Sequence, residues 1–511
     1  MSDSERWGVA GAPESGGTGA LSADSRLAGG ARTAPRAPAG AETLHAAALS
    51  VAGPRADSPA FFGAPASSAP PRALAPIAPI APIAVVGLGH VGLAFAADVL
   101  AGGRGVVGFE RDPRRAAAIA AGRSPYPHIE AASLAERTNA AGERIRIDVC
   151  GGAAAGDFRR IAECAGVVLC LPTPLGSTGE PDLCAIEAVA DALAPHLVPG
   201  HVVVVASTVW PGATRQVVAS RLARSGLELG REIFCAASPE REDPGRTEPQ
   251  SRSVPRLVGG IDPASTREAL ELLRAASDAL VPVASAEVAE LAKMHENLFR
   301  AVNVALVGEL KQIATALDVD VWDVLDAAAT KPYGYMGFEP GPGLGGHCLP
   351  IDPHYLAFAA RRVGARARFV ELAAELGREL PLWVADRIAG ALAARNIPLA
   401  GARILLAGVA YKAGVADLRE SPALALWDEL ERRGASVVYT DPLVPELERA
   451  GLMHRSAHLC DRLLAAQDAT VLLADQPGLD LDVLVRAKGV LVDTRGRLRL
   501  RRGGTDGYVS A

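Results

Sequence analysis

Short, almost uninterrupted apolar segments recur in the first half of the chain, and a helical pattern from Leu93 to Leu100 follows the first of them. Strands that lack polar alternation are typical of a parallel sheet covered by helices on both faces. The pattern therefore predicts an α/β fold, with strands at 83–86, 106–110, 166–171, 201–206 and 233–237.

The first predicted strand leads into a glycine-rich turn, Gly87-Leu88-Gly89-His90-Val91-Gly92. Glycines at this spacing permit a tight turn and let a pyrophosphate approach the N-terminus of the next helix. The second strand ends in Glu110, which is placed to accept hydrogen bonds from ribose hydroxyls and to repel a 2′-phosphate. We therefore expect a dinucleotide site that takes NAD. Arg115, one turn further on, either reaches the adenosine side or is simply solvated.

Polar residues follow three of the later strands at the point where each strand ends. They are Thr173, Thr208 and the pair Glu240-Arg241. Ligands of parallel sheets bind at the carboxyl ends of the strands. We therefore expect Thr173, Thr208 and Glu240 to lie on one rim beside the glycine-rich turn, although each residue alone also fits a turn or a cap.

A polar stripe marks a helical segment predicted at 285–317. Glu290, Lys293, Asn297 and Arg300 recur at three- and four-residue spacing and therefore share one face. Such a stripe usually faces solvent, but the uncharged Asn297 is poorly suited to a merely soluble surface. The residues alone leave both orientations open, toward a site or toward water. The segment is long enough to join two sheet domains and to form a dimer surface.

A second, smaller βαβ arrangement follows. It contains a predicted helix at 421–433 and predicted strands at 402–406, 436–440, 470–474 and 489–493. In place of a glycine fingerprint, Tyr411, Lys412 and Arg419 follow its first strand in the segment YKAGVADLRESP. The arrangement indicates a second nucleotide-sized crevice that lacks the pyrophosphate fingerprint.

Composition narrows the class of protein. The 511 residues carry a formal net charge of -6, which gives no reason to expect nucleic-acid binding. The seven cysteines form no CxxC pair, so we expect neither a metal site nor a disulfide framework. There is no apolar segment long enough for a bilayer and no apolar signal-peptide core, so we expect a cytoplasmic protein without a membrane partner. Residues 1–78 are rich in Ala, Gly, Pro and Ser and are predicted to be a disordered extension.

One cysteine lies in an unusual setting, the stretch GPGLGGHCLPIDPHY from Gly341 to Tyr355. Cys348 follows Gly345 and Gly346 and precedes Asp352. Adjacent glycines allow unusual dihedrals and the close approach of a ligand. A cysteine between such a loop and an acid is a candidate nucleophile. The residues alone also allow a buried structural cysteine under a turn.

In their order and spacing, these motifs resemble those of the nucleotide-sugar 6-dehydrogenases, the superfamily of UDP-glucose and UDP-N-acetylhexosamine dehydrogenases. The resemblance extends from about Pro82 to Leu500 and rests on GLGHVGL, LPTP, STVWPGAT, SPEREDPG, ELAKMHENLFRAVNVALVGEL, PGLGGHCLPIDPHYL and YKAGVADLRESPAL. It implies two Rossmann-like, doubly wound parallel-sheet domains joined by a long central helix and a helical dimerisation region. We accordingly assign an extension at 1–78, an NAD-binding domain at 79–278, a central region at 279–395 and a UDP-binding domain at 396–511.

The resemblance implies a chemistry as well. A sugar C6 alcohol is oxidised to the carboxylate with two NAD, through a cysteine thiohemiacetal and a thioester. It implies that Cys348 is the nucleophile, and that Lys293, Asn297 and Asp352 bind the C6 oxygens and the catalytic water, with Lys293 stabilising the oxyanion.

The resemblance implies further contacts on both ligands. Thr208 matches a water-positioning threonine, and Glu240 matches a glutamate that assists hydrolysis. Thr173, Thr208 and Arg419 join the glycine-rich turn as cofactor contacts. The substrate contacts it implies, besides Lys293 and Asn297, are Glu240, Arg241, Gly345, Gly346, Tyr411, Lys412 and, for the uridine nucleotide, Arg495.

The branch of the family is indicated by the segment from Thr330 onward and by SPEREDPG, which look most like the UDP-N-acetylglucosamine 6-dehydrogenases. The implied substrate is UDP-N-acetylglucosamine or its C4 epimer, for surface polysaccharide or glycoconjugate precursors, and UDP-glucose and UDP-N-acetylmannosamine are the alternatives. The chain departs from the pattern at Pro244 and in ADQPG at 474–478. Lys331 is the nearest match to an arginine that some members supply from a neighbouring subunit of a homodimer or larger homo-oligomer.

Two other functions compete with this one. A 3-hydroxy acid or 6-phosphogluconate-type dehydrogenase shares the Rossmann-plus-helix plan but needs neither Cys348 nor a second Rossmann-like domain. A catalytically silent nucleotide-sugar sensor is the alternative of another class, and the presence of Cys348, Lys293 and Asp352 argues against it.

Overall fold

The computed structural model describes residues 81–126, 129–152, 156–241, 251–346, 348–501 and 507–511. The predicted extension at 1–78, Pro244, and the side chain of Cys348 lie outside the described residues. None of the helices in the described part combines the length and the apolar character that a bilayer crossing needs.

The first sheet has eight strands in the order β10-β9-β8-β7-β6-β1-β2-β5. Every neighbouring pair is parallel except β8 and β9, which are antiparallel. A short hairpin, β3–β4, stands outside this sheet. The strands are β1 Ile83–Val86, β2 Val106–Glu110, β3 Arg137–Thr138, β4 Arg144–Ile145, β5 Ile147–Gly151, β6 Gly166–Leu169, β7 Val202–Val205, β8 Phe234–Ala237, β9 Arg256–Gly260 and β10 Leu280–Pro282.

Both faces of this sheet are covered, as the apolar strands predict. Along β1, Ile83 and Val85 belong to one buried cluster, whereas Ala84 and Val86 belong to another on the opposite face. Because successive side chains of a strand point to opposite faces, every side chain of a strand between two cores is buried and apolar residues are favoured at each position. The helices of this part are α1 His90–Ala101, α2 Pro113–Ala120, α3 Cys184–Leu193, α4 Ser220–Leu222, which continues a π-helical turn at 214–219, and α5 Pro263–Leu273.

A helical region joins this sheet to the second one. It consists of α6 Ala286–Ala316, α7 Val321–Ala329, α8 Cys348–Arg362 and α9 Arg368–Ala393. The side chain of Ser285 caps α6 by accepting a hydrogen bond from the Val288 backbone N–H. At 31 residues, α6 is about 45 Å long and packs against α8 and α9.

The second sheet is entirely parallel, in the order β12-β11-β15-β16-β17. The sequence pattern did not predict the terminal strand β17, the short helices α11 and α12, or a separate exposed hairpin, β13–β14, whose mixed polar and apolar residues give no strand pattern. The elements are β11 Arg403–Ala407, α10 Pro422–Arg432, β12 Ser436–Thr440, β13 Glu446–Arg449, β14 Leu452–Arg455, α11 Asp461–Ala465, β15 Ala469–Leu472, α12 Leu481–Leu484, β16 Val490–Asp493 and β17 Tyr508–Ser510. The predicted fold class, two parallel-sheet units joined by a long helix, is confirmed.

Candidate active site

The turn after β1 is shaped by its glycines. Gly87 has a φ of +90°, and a Cβ atom on it would lie 2.5 Å from the carbonyl oxygen of Cys170. A Cβ atom on Gly92 would lie 1.8 Å from the carbonyl oxygen of Gly87, whereas one on Gly89 would meet nothing within 4 Å. No described side chain caps α1, which begins at His90. The turn therefore packs tightly on the protein side and leaves open space at Gly89, before the N-terminus of a helix, which fits a dinucleotide pyrophosphate.

Glu110 lies beside this turn and is buried. Its Oε2 accepts a hydrogen bond from the Leu88 backbone N–H at 3.1 Å, and its Oε1 accepts from the Asp112 N–H and the Arg115 guanidinium, both at 2.8 Å. Arg115 is thus bound to Glu110 at the end of β2. From the sequence, only a contact with the adenosine or a solvated side chain was expected for Arg115. The carboxylate is next to the turn, where a ribose that follows a bound pyrophosphate would lie.

We predict that Glu110→Gln raises kcat/KM for NADP relative to NAD by about tenfold or more, a change of about 1.4 kcal/mol or more. The substitution removes the negative charge that repels a 2′-phosphate and releases Arg115, a cation able to meet that phosphate. Steady-state rates with both cofactors measure the ratio, and Glu130→Gln, at an exposed carboxylate of the same sheet unit, is the control. An unchanged ratio in Glu110→Gln would show that Glu110 does not select the cofactor.

The segments after β6, β7 and β8 lie side by side at the carboxyl edge of the sheet. The Ser207 hydroxyl accepts from the Leu171 N–H at 2.8 Å, and the Glu240 N–H donates to the Ala206 carbonyl at 3.2 Å. The structure thus brings the neighbourhoods of Thr173, Thr208 and Glu240 together on one rim. Thr173 is buried and Thr208 is half-buried. This edge meets the glycine-rich turn where Gly87 packs on Cys170.

Helix α6 turns its polar stripe inward. Glu290 and Asn297 are each 1 % exposed and Lys293 is 7 % exposed, whereas Leu291, on the opposite side, is 46 % exposed. The alternative of a solvated stripe is therefore wrong for these three residues, although Arg300 at the end of the stripe is exposed. A buried lysine and asparagine on one face of a helix need polar partners, and helix α8 supplies one of them with Asp352.

Two carboxylates lie near enough to Lys293 for its charge to act on them. Burial acts to raise the pKa of both Glu240 and Asp352, and the Lys293 ammonium acts to lower it. Asp352, on α8, is 2 % exposed, and its Oδ2 accepts a hydrogen bond from Asn297 Nδ2 at 2.5 Å. The Asn297 Oδ1 in turn accepts from Arg300 at 2.8 Å. Lys293, Asn297, Asp352 and Glu240, which we call the buried polar cluster, thus come from three separate elements of the chain.

The two acids of the cluster are tuned in opposite directions. Burial raises the pKa of Asp352 to about 6, and the Asn297 hydrogen bond and Lys293 only partly offset it. Burial also acts to raise the pKa of Glu240, but Arg256, at 2.9 Å, and the Arg241 backbone N–H hold it below its usual range. Asp352 is therefore able to take up a proton near neutral pH, whereas Glu240 stays ionised.

The glycines before Cys348 have neighbours from the second sheet unit. A Cβ atom on Gly345 would lie 2.7 Å from Cβ of Tyr411, and one on Gly346, which has a φ of +88°, would lie 2.9 Å from the Tyr411 ring. The Gly346 N–H donates to the Arg419 carbonyl at 3.1 Å. Contacts with Tyr411 and Glu420 therefore leave no room for side chains at Gly345 and Gly346, and the contact of these two glycines with a substrate stays a prediction.

The remaining predicted residues line the boundary between the two sheet units. The Arg419 guanidinium pairs with both carboxylate oxygens of Asp417, whose pKa is also lowered by His90 of the glycine-rich turn. The Arg419–Asp417 pair therefore lies near the glycine-rich turn, and a cofactor contact by Arg419 stays a prediction. Lys412 is half-buried beside the Tyr411 ring. Arg495 follows β16, and its guanidinium occupies the place that a Cβ atom on Gly341 would need.

Two predicted residues are engaged elsewhere. Arg241 makes a two-pronged ion pair with Glu296, at 2.5 and 3.1 Å, and also donates to the Pro255 carbonyl. Lys331 is exposed, with its ammonium 5.5 Å from the centre of the Tyr333 ring. Neither contact assigns a role, so substrate binding by Arg241 and exchange of Lys331 between subunits stay predictions.

Three residues that support the cluster were missed. Arg256 pairs with Glu240 because antiparallel β9 begins at the edge where β8 ends. Glu290 binds the N–H groups of Gly212 and Thr214, at 2.6 and 2.9 Å, and so fixes the segment that follows Thr208. The Tyr355 hydroxyl donates to the Thr173 carbonyl at 2.9 Å and joins α8 to the rim. The position of Glu290 in the polar stripe was a usable signal, but nothing in the sequence pairs Arg256 with Glu240.

Comparison with known proteins identifies a family of dehydrogenases. Three domains of the UDP-glucose/GDP-mannose dehydrogenase family match: the NAD binding domain at 81–277, the central domain at 287–378 and the UDP binding domain at 405–499. A UDP-N-acetyl-D-glucosamine 6-dehydrogenase of Pseudomonas aeruginosa is 32% identical over 366 residues, which is 70% of this chain and 82% of that protein. An NDP-N-acetyl-D-galactosaminuronic acid dehydrogenase of Ralstonia nicotianae is 31% identical over 431 residues, 82% of this chain and 96% of that one. The solved UDP-D-ManNAc dehydrogenase of Pyrococcus horikoshii is 27% identical, with a TM-score of 0.70 over 81% of this chain and 95% of its own.

Proposed function

Because the chain belongs to the UDP-glucose/GDP-mannose dehydrogenase family and is an NAD-dependent UDP-sugar dehydrogenase, we propose that it oxidises C6 of a UDP-N-acetylhexosamine. The proposed substrate is UDP-N-acetyl-D-glucosamine or its C4 epimer, and the product is the UDP-uronic acid, a precursor for surface polysaccharide or glycoconjugate. The relatives from Pseudomonas aeruginosa and Ralstonia nicotianae, whose names carry these two sugars, support this choice.

The buried polar cluster carries the proposal. An ammonium, an amide and a carboxyl group with a pKa of about 6 lie within one buried site, beside the strand ends that face the dinucleotide turn. Oxidation of an alcohol to a carboxylate needs a proton acceptor, a group that stabilises an alkoxide or oxyanion, and a positioned water. A sensor that only binds a nucleotide sugar needs none of them.

The reaction is balanced by two NAD and one water. The alcohol R–CH2OH gives R–COO⁻, two NADH and three protons, and NAD, when bound, accepts the hydride in each oxidation. We assign to the Lys293 ammonium the stabilisation of the alkoxide and later of the oxyanion, because it is a buried cation on the same helix face as Asn297, which binds Asp352. The Asn297 side chain fixes the orientation of Asp352 through its 2.5 Å hydrogen bond.

Cys348 supplies the covalent step of the proposal. Its thiolate attacks the aldehyde carbon to form a thiohemiacetal, loss of hydride gives a thioester, and water then releases the carboxylate and regenerates the thiol. The residue is the first of α8, and a helix N-terminus favours a negative charge. We assign Asp352 as the group that takes a proton from the attacking water and the ionised Glu240 as a partner that orients Lys293 and the water.

We predict that steady-state uronate formation falls about tenfold per pH unit below pH 6, because the pKa of Asp352 is raised to about 6 and only its ionised form accepts a proton. A pH–rate profile of carboxylate release measures the effect. Asp352→Asn has a low rate and should lose this acidic limb. A wild-type profile that stays flat down to pH 5 would assign the proton transfer to another group.

We also propose that the enzyme is a cytoplasmic homodimer or larger homo-oligomer. The outward face of α6 is apolar and exposed, an unusual arrangement for a helix in water that fits burial against a second copy. Its exposed residues are Val288, Leu291, Phe299, Leu306 and Ile313.

The six described cysteines are all unpaired, which fits the reducing compartment that a cytoplasmic location implies.

A substrate screen tests the proposed function. The full chain is incubated with NAD and, separately, UDP-GlcNAc, UDP-GalNAc, UDP-ManNAc and UDP-glucose, and NADH and carboxylate are quantified. We expect two NADH per carboxylate and the highest kcat/KM with UDP-GlcNAc or UDP-GalNAc. A preference for UDP-ManNAc or UDP-glucose would show that the proposed substrate is wrong. Formation of NADH without carboxylate would show that the reaction is not a four-electron oxidation.

A further inference from the structure

Lys311 is a fully buried lysine on α6 that the proposed chemistry does not use. Its ammonium donates hydrogen bonds to the carbonyl oxygen of Thr494, at 3.0 Å, and to the backbone oxygen of Ala511. The rings of Trp322 and Trp383 are centred 5.9 and 6.0 Å from Nζ. A buried cation is costly unless its contacts compensate, so a lysine that only fills space here would be disfavoured relative to an apolar residue.

The Thr494 carbonyl opens a turn, Thr494–Leu498, that is held at several points. The Asp493 carboxylate accepts hydrogen bonds from the N–H groups of Arg495 and Leu498, at 2.9 and 2.6 Å. Gly496 has a φ of +66°, and a Cβ atom there would lie 2.4 Å from the Trp322 ring. The turn therefore sits on Trp322 of α7 and on Lys311 of α6, with glycine required at the contact.

This turn presents Arg495. The Arg495 Nε donates to the Leu473 carbonyl at 2.9 Å, and its Nη1 lies 2.6 Å from the Cβ position of Gly341, in the stretch that leads to Cys348. We propose that Lys311 is a positioning residue for the nucleotide half of the substrate: by binding the Thr494 carbonyl, it holds the turn in the form that aims Arg495 at the diphosphate or uridine of UDP. The inference rests on the proposed function, since it takes UDP as the ligand of this edge.

The charges around Lys311 agree with a supporting role. Burial lowers its pKa to about 7, the carboxylate of Asp493 on β16 acts to raise it, and Arg495 and Arg387 act to lower it further. The Asp493 carboxylate thus accepts hydrogen bonds from N–H groups of the turn, and it attracts the Lys311 ammonium, which binds the Thr494 carbonyl. Two groups of opposite charge therefore hold the turn, one at its N–H groups and the other at its first carbonyl.

The test is Lys311→Met, which keeps an unbranched stem of similar length beside the two tryptophans and removes the ammonium. Loss of a hydrogen bond from a charged donor predicts that Kd for UDP and KM for the UDP-sugar rise about tenfold or more. We expect Kd for NAD to be unchanged and kcat at saturation to stay within about threefold. Calorimetric titration with UDP and with NAD gives both constants, and Lys488→Met, at an exposed lysine of the same unit, is the control. Equal losses for UDP and NAD would mean a general structural defect and would overturn the proposal, as would unchanged UDP binding.

A double-mutant cycle with Arg495→Ala separates this inference from the proposed function. If Lys311 acts through Arg495, Lys311→Met should weaken UDP binding far less in the Arg495→Ala background than in the wild type. Additive losses would mean that Lys311 acts elsewhere, and the positioning role would be wrong. If Arg495→Ala leaves UDP affinity unchanged while Lys311→Met weakens it, the assignment of Arg495 fails and the positioning role fails with it. If the wild-type chain does not bind UDP, the proposed function itself is wrong.

Discussion

Cys348→Ser should abolish steady-state formation of the UDP-uronate. The first hydride transfer needs a base and NAD but no thiol, so some conversion of alcohol to aldehyde survives. The second oxidation needs an adduct on the side chain, and serine has a far higher pKa than cysteine, so its hydroxyl is a much weaker nucleophile near neutral pH. Any ester that formed would hydrolyse slowly, so the variant should release little more than one NADH per site.

The measurement combines mass spectrometry of the carboxylate with burst-phase NADH. Cys184→Ser replaces an exposed cysteine of the first sheet unit and should leave both readouts unchanged. Normal steady-state uronate production by Cys348→Ser would remove the cysteine from the mechanism, and with it the main reason for a four-electron reaction.

Lys293→Ala should lower kcat by about 10²–10³, the typical effect of losing one oxyanion donor. The loss should appear in kcat more than in KM, because the ammonium matters most when negative charge develops on the C6 oxygen. Removing the cation also leaves Asp352 and Glu240 without the charge that lowers the pKa of each. We therefore expect the acidic limb of the pH–rate profile to move to higher pH in this variant.

His295→Ala is the control for this effect, since His295 is an exposed residue of α6 two positions away. Both variants should keep the melting temperature of the wild type within a few degrees, which separates a chemical effect from unfolding. A kcat for Lys293→Ala within a factor of about three of the wild type would contradict a role in stabilising the oxyanion.

The long helix and most of the strands, although not β5, β9 and β10, could be predicted because their signals are local. An apolar run such as 202–205 has one interpretation in a sheet covered on both faces, and the glycine-rich turn fixes the element that follows it. The hairpin β13–β14 and the terminal strand β17 could not be predicted, because their short and half-exposed segments carry no apolar pattern.

The site could be predicted only in part, because periodicity shows which residues share a face but not what covers that face. Lys293 and Asn297 were placed together correctly, yet only packing against the rim of the sheet decides that they are buried. The antiparallel direction of β9, which delivers Arg256 to Glu240, depends on a pairing between distant segments. The packing of Gly345 and Gly346 on Tyr411 could not be predicted for the same reason, since this contact crosses between the two sheet units.

The continuous hydrogen-bonded backbone of α6 also limits how this chain can tolerate insertions and deletions. Lys293 and Lys311 lie on the same 31-residue helix, eighteen positions apart. Lys293 belongs to the buried polar cluster, and Lys311 binds the turn Thr494–Leu498. Each added or removed residue between them would shift one lysine by about 1.5 Å and rotate it by about 100° relative to the other. Loops absorb such length changes, but an uninterrupted helix transmits them. We therefore expect viable length variants of this chain to change in its loops and to keep the Lys293–Lys311 interval constant.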